Sequence, residues 1–148
     1  NVNINEANIM GIYLQFQRKL SEKLNTTFSL NYVNGESSDS LPLSHIPPLS
    51  INASLDYIHN KNFVSFYSKY NGWKRSENYD LNGVDNLDEA TIDGTPPWYT
   101  LNVMYKKIYG NLTLSLACEN ILDAHYKTFS SGISSSGRNF IVNLQSTF

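Results

Sequence analysis

Charge is scarce in this chain: Asp, Glu, Lys and Arg make up 16% of its 148 residues, against about 25% in ordinary soluble domains. The eleven Lys and Arg are scattered and the net charge is −2. No basic stripe is present to displace counterions, so nucleic acid is not an expected partner. Cysteine is limited to Cys118, which rules out an intramolecular disulfide and a metal site of four thiolates. No run of eighteen apolar residues occurs, so no helix is expected to cross a membrane. The chain opens at Asn1 without a charged and apolar leader, and the expectation is either a cytosolic protein or one whose beginning has been removed. Nucleophile elbows, phosphate-cradling glycine loops and zinc spacings are also missing. No catalytic residue, cofactor or metal ligand is therefore expected.

Aromatic residues, by contrast, reach 13% with ten tyrosines, and polarity comes mainly from Asn, Ser and Thr. β-branched and aromatic side chains suit pleated, half-buried surfaces. Apolar residues recur at every second position, the period of a strand. Met10, Ile12, Leu14 and Phe16 share one face near residues 9–19, with Tyr13, Gln15, Gln17 and Lys19 on the other. The pattern repeats with Phe28, Leu30 and Tyr32, with Leu49, Ile51, Ala53, Leu55 and Tyr57, and with Val64, Phe66 and Tyr70. It continues through Tyr99, Leu101, Val103 and Tyr105, through Leu112, Leu114, Leu116 and Cys118, and through Phe140, Val142, Leu144 and Phe148. Seven strands of about ten residues are predicted, the length a tilted strand needs to cross a bilayer.

The connections alternate as well. Turns near 20–25, 59–62 and 109–111 are short, whereas segments 35–48, 75–97 and 123–136 are long and rich in turn formers or proline. Short turns at one end and long loops at the other are the pattern of outer-membrane barrels. A soluble antiparallel sheet, such as a lipocalin-like carrier, shows the same alternation, but with shorter strands and charged outward faces. In hydrocarbon a sheet has to close, and bacterial single-chain barrels use even strand numbers. Upstream strands of the same barrel are accordingly expected.

Particular residues then carry a family likeness. Pro96-Pro97-Trp98-Tyr99-Thr100-Leu101-Asn102-Val103, Leu112 to Leu116, Glu119-Asn120-Ile121-Leu122-Asp123 with Tyr126 beyond, Gly137-Arg138-Asn139-Phe140 and the terminal Phe148 resemble the closing strands of TonB-dependent outer-membrane receptors. The segment Leu43 to Pro48 before a strand ending at Tyr57 is similar to the opening of an earlier barrel strand in that family. The resemblance implies an all-β antiparallel meander, the C-terminal part of a plugged barrel of about twenty-two strands. Implied partners are outer-membrane lipid, an N-terminal plug with the upstream strands, and the TonB energy-coupling complex acting through that plug. The barrel assembly machinery and a small-molecule ligand such as a metal chelate complete the set. Siderophore-bound iron is the favoured cargo, with haem, cobalamin and oligosaccharide also open. Phe140, Val142, Leu144 and Phe148 would form the outward C-terminal ladder read during assembly, although Ser146 stands where the family often has an aromatic. Asn120, Asp123, Tyr126, Gly137, Arg138 and Asn139 would be structural motif residues of the last long loop.

The remaining candidates have plainer readings. Asp56, Lys69, Lys106 and Glu119 fall on the hydrophilic face, where charge is ordinary in a barrel lumen. His45, His59 and His125 are far apart and lack metal-site spacing. Trp73, Trp98, Tyr70, Tyr99, Tyr105, Tyr109 and Tyr126 lie near strand ends, as interface girdles do, with ligand contact from the extracellular loops the alternative for some of them. Asp80, Asp85, Asp88, Glu89 and Asp93 make one long loop acidic without matching a calcium-loop spacing. An enzyme or adhesin on a small outer-membrane barrel is the competing function, and it lacks a catalytic constellation.

Overall fold

The computed structural model describes residues 6–80 and 82–148; Asn1, read above as a cut point, lies outside them. Seven strands form one antiparallel sheet in the order β1-β2-β3-β4-β7-β8-β9. They are β1 Ala7–Lys19, β2 Leu24–Ser37, β3 Ser50–His59, β4 Asn62–Asn71, β7 Trp98–Tyr109, β8 Leu112–Glu119 and β9 Asn139–Ser146. Between β4 and β7, β5 Lys74–Arg75 pairs with β6 Gly94–Thr95. Each main strand pairs with its neighbour in the sheet, so the topology is the meander expected from the alternation.

Two of the three short connections have two residues, Asn60-Lys61 and Gly110-Asn111. The first residue of each has positive φ, 54° at Asn60 and 56° at Gly110, a conformation that Asn and Gly adopt at little cost. The long connections, residues 38–49, 72–97 and 120–138, lie together at the opposite end. Two boundaries depart from the sequence reading. β2 runs on through Gly35 to Ser37, because its ladder with β1 continues to the Ala7↔Ser37 pair. The loop expected over 75–97 is pinched at its base by the β5–β6 pair and contains two single-turn 3₁₀ segments.

Register decides which side chains meet. One row of paired positions reads Leu14, Leu30, Ile51, Tyr70 and Tyr99, and another reads Leu55, Phe66, Val103, Cys118 and Phe140. The apolar positions of successive strands thus merge into one continuous face. That face is open: Leu14 is 56% exposed, Phe66 56% and Val142 72%. Among the described residues, Tyr79 is the only large hydrophobic side chain that is buried. On the opposite face Thr100 and Asn102 are buried. A soluble sheet inverts this order, covering its oily face and wetting its polar one. The surface area agrees: 10170 Å² exceeds the roughly 7,600 Å² of a compact monomer of this mass.

The apolar band also has the height of a membrane. Tyr99 and Tyr109 stand at opposite ends of β7 on that face, ten residues apart. At about 3.3 Å per residue and a tilt of roughly 40°, they are separated by about 25 Å along the normal, matching the lipid-facing band of barrels.

Candidate functional site: the loop cap and the inner wall

The three long loops are joined into a cap by buried polar side chains. Asp85, only 1% exposed, accepts the backbone N–H of His45 in its two oxygens at 2.9 and 3.2 Å, and His45 Nδ1 lies 3.4 Å from it. This ties the second long loop to the first. Asp80 accepts backbone N–H groups of Asn82, Val84 and Asp85, folding the acidic segment back on itself as Asp does in turns. Lys74, also buried, donates from Nζ to the Ile46 carbonyl at 2.7 Å and lies over the rings of Phe129 and Tyr79 at 5.1 and 5.8 Å. Burial pulls its ammonium below the ordinary lysine value, and the nearby Asp85 and Asp80 carboxylates pull it part of the way back.

The second and third loops meet over Tyr79. Its ring packs edge-on to Phe129 at 5.5 Å and its hydroxyl shares a hydrogen bond with Thr95 at 2.6 Å. Asn86 donates to the Ser130 carbonyl, and Lys127 Nζ donates to the Glu89 carbonyl. Gly94 closes the neck at φ 100°; a Cβ there would stand 2.7 Å from the Ser76 nitrogen, so only glycine fits.

The motif residues gather where the third loop leaves the wall. Asn120, with φ 50°, bridges the ends of the loop. Its side chain donates to the Ala124 and Ser136 carbonyls and accepts from the Ala124 N–H, while its own N–H donates to Asn102 Oδ1. Asp123 accepts the Arg138 N–H at 2.7 Å, and Arg138 Nε donates to the Ile121 carbonyl at 2.9 Å. A Cβ at Gly137 would lie 2.6 Å from the same Asp123 oxygen. Asn139 opens β9 opposite Glu119. Tyr126 stacks on Trp98 at 4.1 Å, and Trp98 shares the inner face with Asn71. Trp98 faces inward because it alternates with outward-facing Tyr99, and Tyr126 joins it there by stacking, so these two aromatics stand apart from an outward girdle. Trp73 is also taken up by the cap: its indole donates to the Asp93 carbonyl and Arg75 stacks on its ring.

Phe140, Val142 and Leu144 lie on the exposed apolar face opposite Cys118, Leu116 and Leu114, and Phe148 is fully exposed beyond them. Asp56, Lys69, Lys106 and Glu119 sit at inward register positions. Glu119 accepts the Tyr67 hydroxyl at 3.0 Å.

Two cavities border the third loop. One of about 440 Å³ on the inner wall is lined by Lys69, Asn102, Glu119, Asn120, Tyr126 and the serines of 131–136. Neutral hydroxyl and amide groups dominate it. The second, about 360 Å³, lies between the loops and is walled by Pro96, Pro97, Tyr126 and Ala90, with His125 and Lys127 at its edge. Its lining is mainly apolar. His45, His59 and His125 do not converge, and no three His, Cys, Asp or Glu side chains among the described residues are placed to hold a metal ion. The pairing of His45 with Asp85 was not legible from spacing, since forty residues separate them.

No family model matches the sequence, and no curated protein matches it. Solved structures do. The chain is similar to the copper transporter OprC, with a TM-score of 0.83 at 22% identity over 96% of this chain and 23% of that one. It is also similar to the ferric yersiniabactin uptake receptor FyuA from Yersinia pestis, with a TM-score of 0.68 at 13% identity over 96% of this chain and 24% of that one. The chain spans about a quarter of the length of each. In fold, it is a seven-stranded antiparallel section of the β-barrel wall that these two proteins share.

Proposed function

We propose that this chain is the C-terminal wall section of a TonB-dependent receptor in the bacterial outer membrane, which imports a scarce nutrient as a metal chelate of the iron-siderophore type. The observation that carries the reading is the sheet's open oily face, while on its polar face Thr100 and Asn102 are buried where loop 120–138 lies against the wall. Such a sheet is stable only with lipid outside and further wall and a plug within. Its outer strands β1 and β9 each have one neighbour in the sheet. In hydrocarbon their free edges demand pairing, so upstream strands complete a barrel of about twenty-two. Two structural neighbours are named as a copper transporter and a ferric yersiniabactin uptake receptor, which supports a transport role.

Within this reading the cap faces outward, the short turns face the periplasm, and the inner wall borders the plug. Phe140, Val142, Leu144 and Phe148 form the ladder presented to the assembly machinery. The apolar cavity beside Pro96, Pro97 and Tyr126 suits the organic envelope of a chelate, and the ferric chelate named for one neighbour points the same way. Copper, named for the other, is the rival cargo. The test is growth of a strain carrying the full-length gene, or its deletion, under iron or copper limitation, with radiolabelled uptake of each metal. The expected result is energy-dependent accumulation of chelated iron that is lost on deletion. Unchanged iron uptake with lost copper uptake would replace the cargo, and a protein recovered outside the outer-membrane fraction would overturn the reading.

A further inference from the structure

Charge is distributed unevenly along the strands. The short-turn half carries six cations, Arg18, Lys19, Lys23, Lys61, Lys106 and Lys107, against two carboxylates, Glu22 and Asp56, a net side-chain charge of +4. The cap half carries the other five cations against eleven carboxylates, a net of −6. The cations also differ in employment. In the cap half Lys74, Lys127 and Arg138 donate side-chain hydrogen bonds, and both pairs of ion-pair geometry, His45–Asp85 and Lys127–Glu89, lie there. Among the described residues, none of the six short-turn cations pairs with a carboxylate; the one side-chain hydrogen bond among them joins Lys107 to the Tyr109 hydroxyl. Two rest on aromatic rings instead: Lys106 Nζ is 4.5 Å from the centre of Phe63, and Lys107 Nζ is 4.8 Å from that of Tyr109.

Register separates the six by face. Lys19 and Lys106 stand at inward positions, whereas Arg18 and Lys107 share the lipid-facing parity of Phe16 and Tyr109. Lys23 and Lys61 project from the turns themselves. Arg18, Lys23, Lys61 and Lys107 are thus four cations without a carboxylate partner around the short-turn rim, with Lys107 two residues toward the cap from Tyr109. Each cation near an anionic leaflet adds attraction that falls off within a Debye length.

We propose that Arg18, Lys23, Lys61 and Lys107 form a cationic collar that binds the headgroups of anionic phospholipids in the leaflet at the short-turn rim. The inference rests on the membrane reading above. The lipid-facing parity of Arg18 and Lys107 favours lipid over a protein partner, which would approach from the lumen or from below. Lys107 lies two residues inside Tyr109 on the same face, and its side chain extends toward the rim along the Tyr109 ring, 4.8 Å from its centre, which carries the ammonium to the level of a headgroup phosphate.

The test uses the full-length protein in micelles doped with equal phosphatidylcholine and phosphatidylglycerol, with native mass spectrometry counting the lipids retained. The natural protein should retain phosphatidylglycerol over phosphatidylcholine by roughly tenfold or more. The combined variant Arg18→Gln, Lys23→Gln, Lys61→Gln and Lys107→Gln should bring the two close to parity, and Arg75→Gln at the opposite rim should leave the preference intact. The pairs Arg18→Gln with Lys23→Gln and Lys61→Gln with Lys107→Gln, made separately, should each give a partial loss, which guards against misfolding of the fourfold variant. Equal retention by a folded natural protein, or an undiminished preference in the variants, overturns the collar. Full competition by millimolar inorganic phosphate overturns lipid as its occupant. Failure of the membrane reading is distinguishable, because it gives no heat-modifiable barrel in any micelle.

Discussion

The cap and the wall are held together by different means. Apart from Thr100 and Asn102, which border the cap, the buried side chains of substantial size belong to the loops: Lys74, Tyr79, Asp80, Asp85, Thr95 and Asn120. The wall buries almost no side chain and depends on its backbone ladder, with the surrounding medium supplying what a core supplies elsewhere. In the cap, specific hydrogen bonds between residues distant in sequence fix three loops against one another. Substitutions should therefore fail in different ways: in the wall through the medium a face meets, in the cap through a partner left unpaired.

The sharpest break of this comparison puts charge into the wall. Phe66 lies mid-strand between Leu55 and Val103 on the apolar face, and Phe66→Lys should cost about 2–4 kcal/mol if that face meets hydrocarbon at the midplane. Ser29→Lys, on the inward face between Gln15 and Asn52, should cost less than about 0.5 kcal/mol, as surface changes usually do. Urea titration of the full-length protein folded into vesicles reads both. Equal costs at the two positions would mean that the faces do not meet different media.

A smaller effect, confined to the cap, is expected from Asp85→Ala. The change leaves the His45 N–H without its acceptor and deprives buried Lys74 of its nearest compensating charge. Leaving a buried donor unpaired costs about 1–3 kcal/mol. Because the loss is local, proteolysis within residues 72–97 should accelerate by about ten- to a hundredfold, while the heat-modifiable mobility of the barrel stays unchanged. If the whole barrel loses stability with Asp85→Ala, cap and wall are one cooperative unit and the comparison fails.

How much of this could be read in advance follows the same division. Wall strands announce themselves because parity alone assigns Leu112, Leu114 and Leu116 to one face, and register then follows from the short turns at Asn60 and Gly110. The strand ends blur where pairing outlasts hydrophobic alternation, as in Gly35 to Ser37. The cap is nearly illegible, since Lys74 meeting Ile46, or Asp85 meeting His45, depends on how separate loops settle against one another. Only its local pieces carried a signal: Asn120, Asp123 and Gly137 hold backbone within a single loop, and residue type reports that chemistry. The inward side of Trp98 follows from parity with outward Tyr99, but that Tyr126 would stack on it is a contact that proximity to strand ends does not foretell.

The finest distinction between the regions is in pH. Lys74 sits outside the spanning strands, and burial lowers its affinity for a proton in the folded cap. In the opened cap it returns to the ordinary lysine value of 10.5. Between the lowered value and 10.5 the open form binds more protons, so closing should become more favourable as pH rises through that window. Below the window both forms are charged and the cost of burying the ammonium is borne in full. Cleavage of loop 72–97 by an alkaline-tolerant protease, corrected for the enzyme's own pH profile on an unstructured peptide, should therefore slow as the pH rises toward 10.5. Lys74→Met should remove that slope and leave the cleavage rate level. A cleavage rate that instead rises with pH in the natural protein would mean that pairing with Asp85 and Asp80 outweighs burial, and that charge attraction holds the cap where a backbone ladder holds the wall.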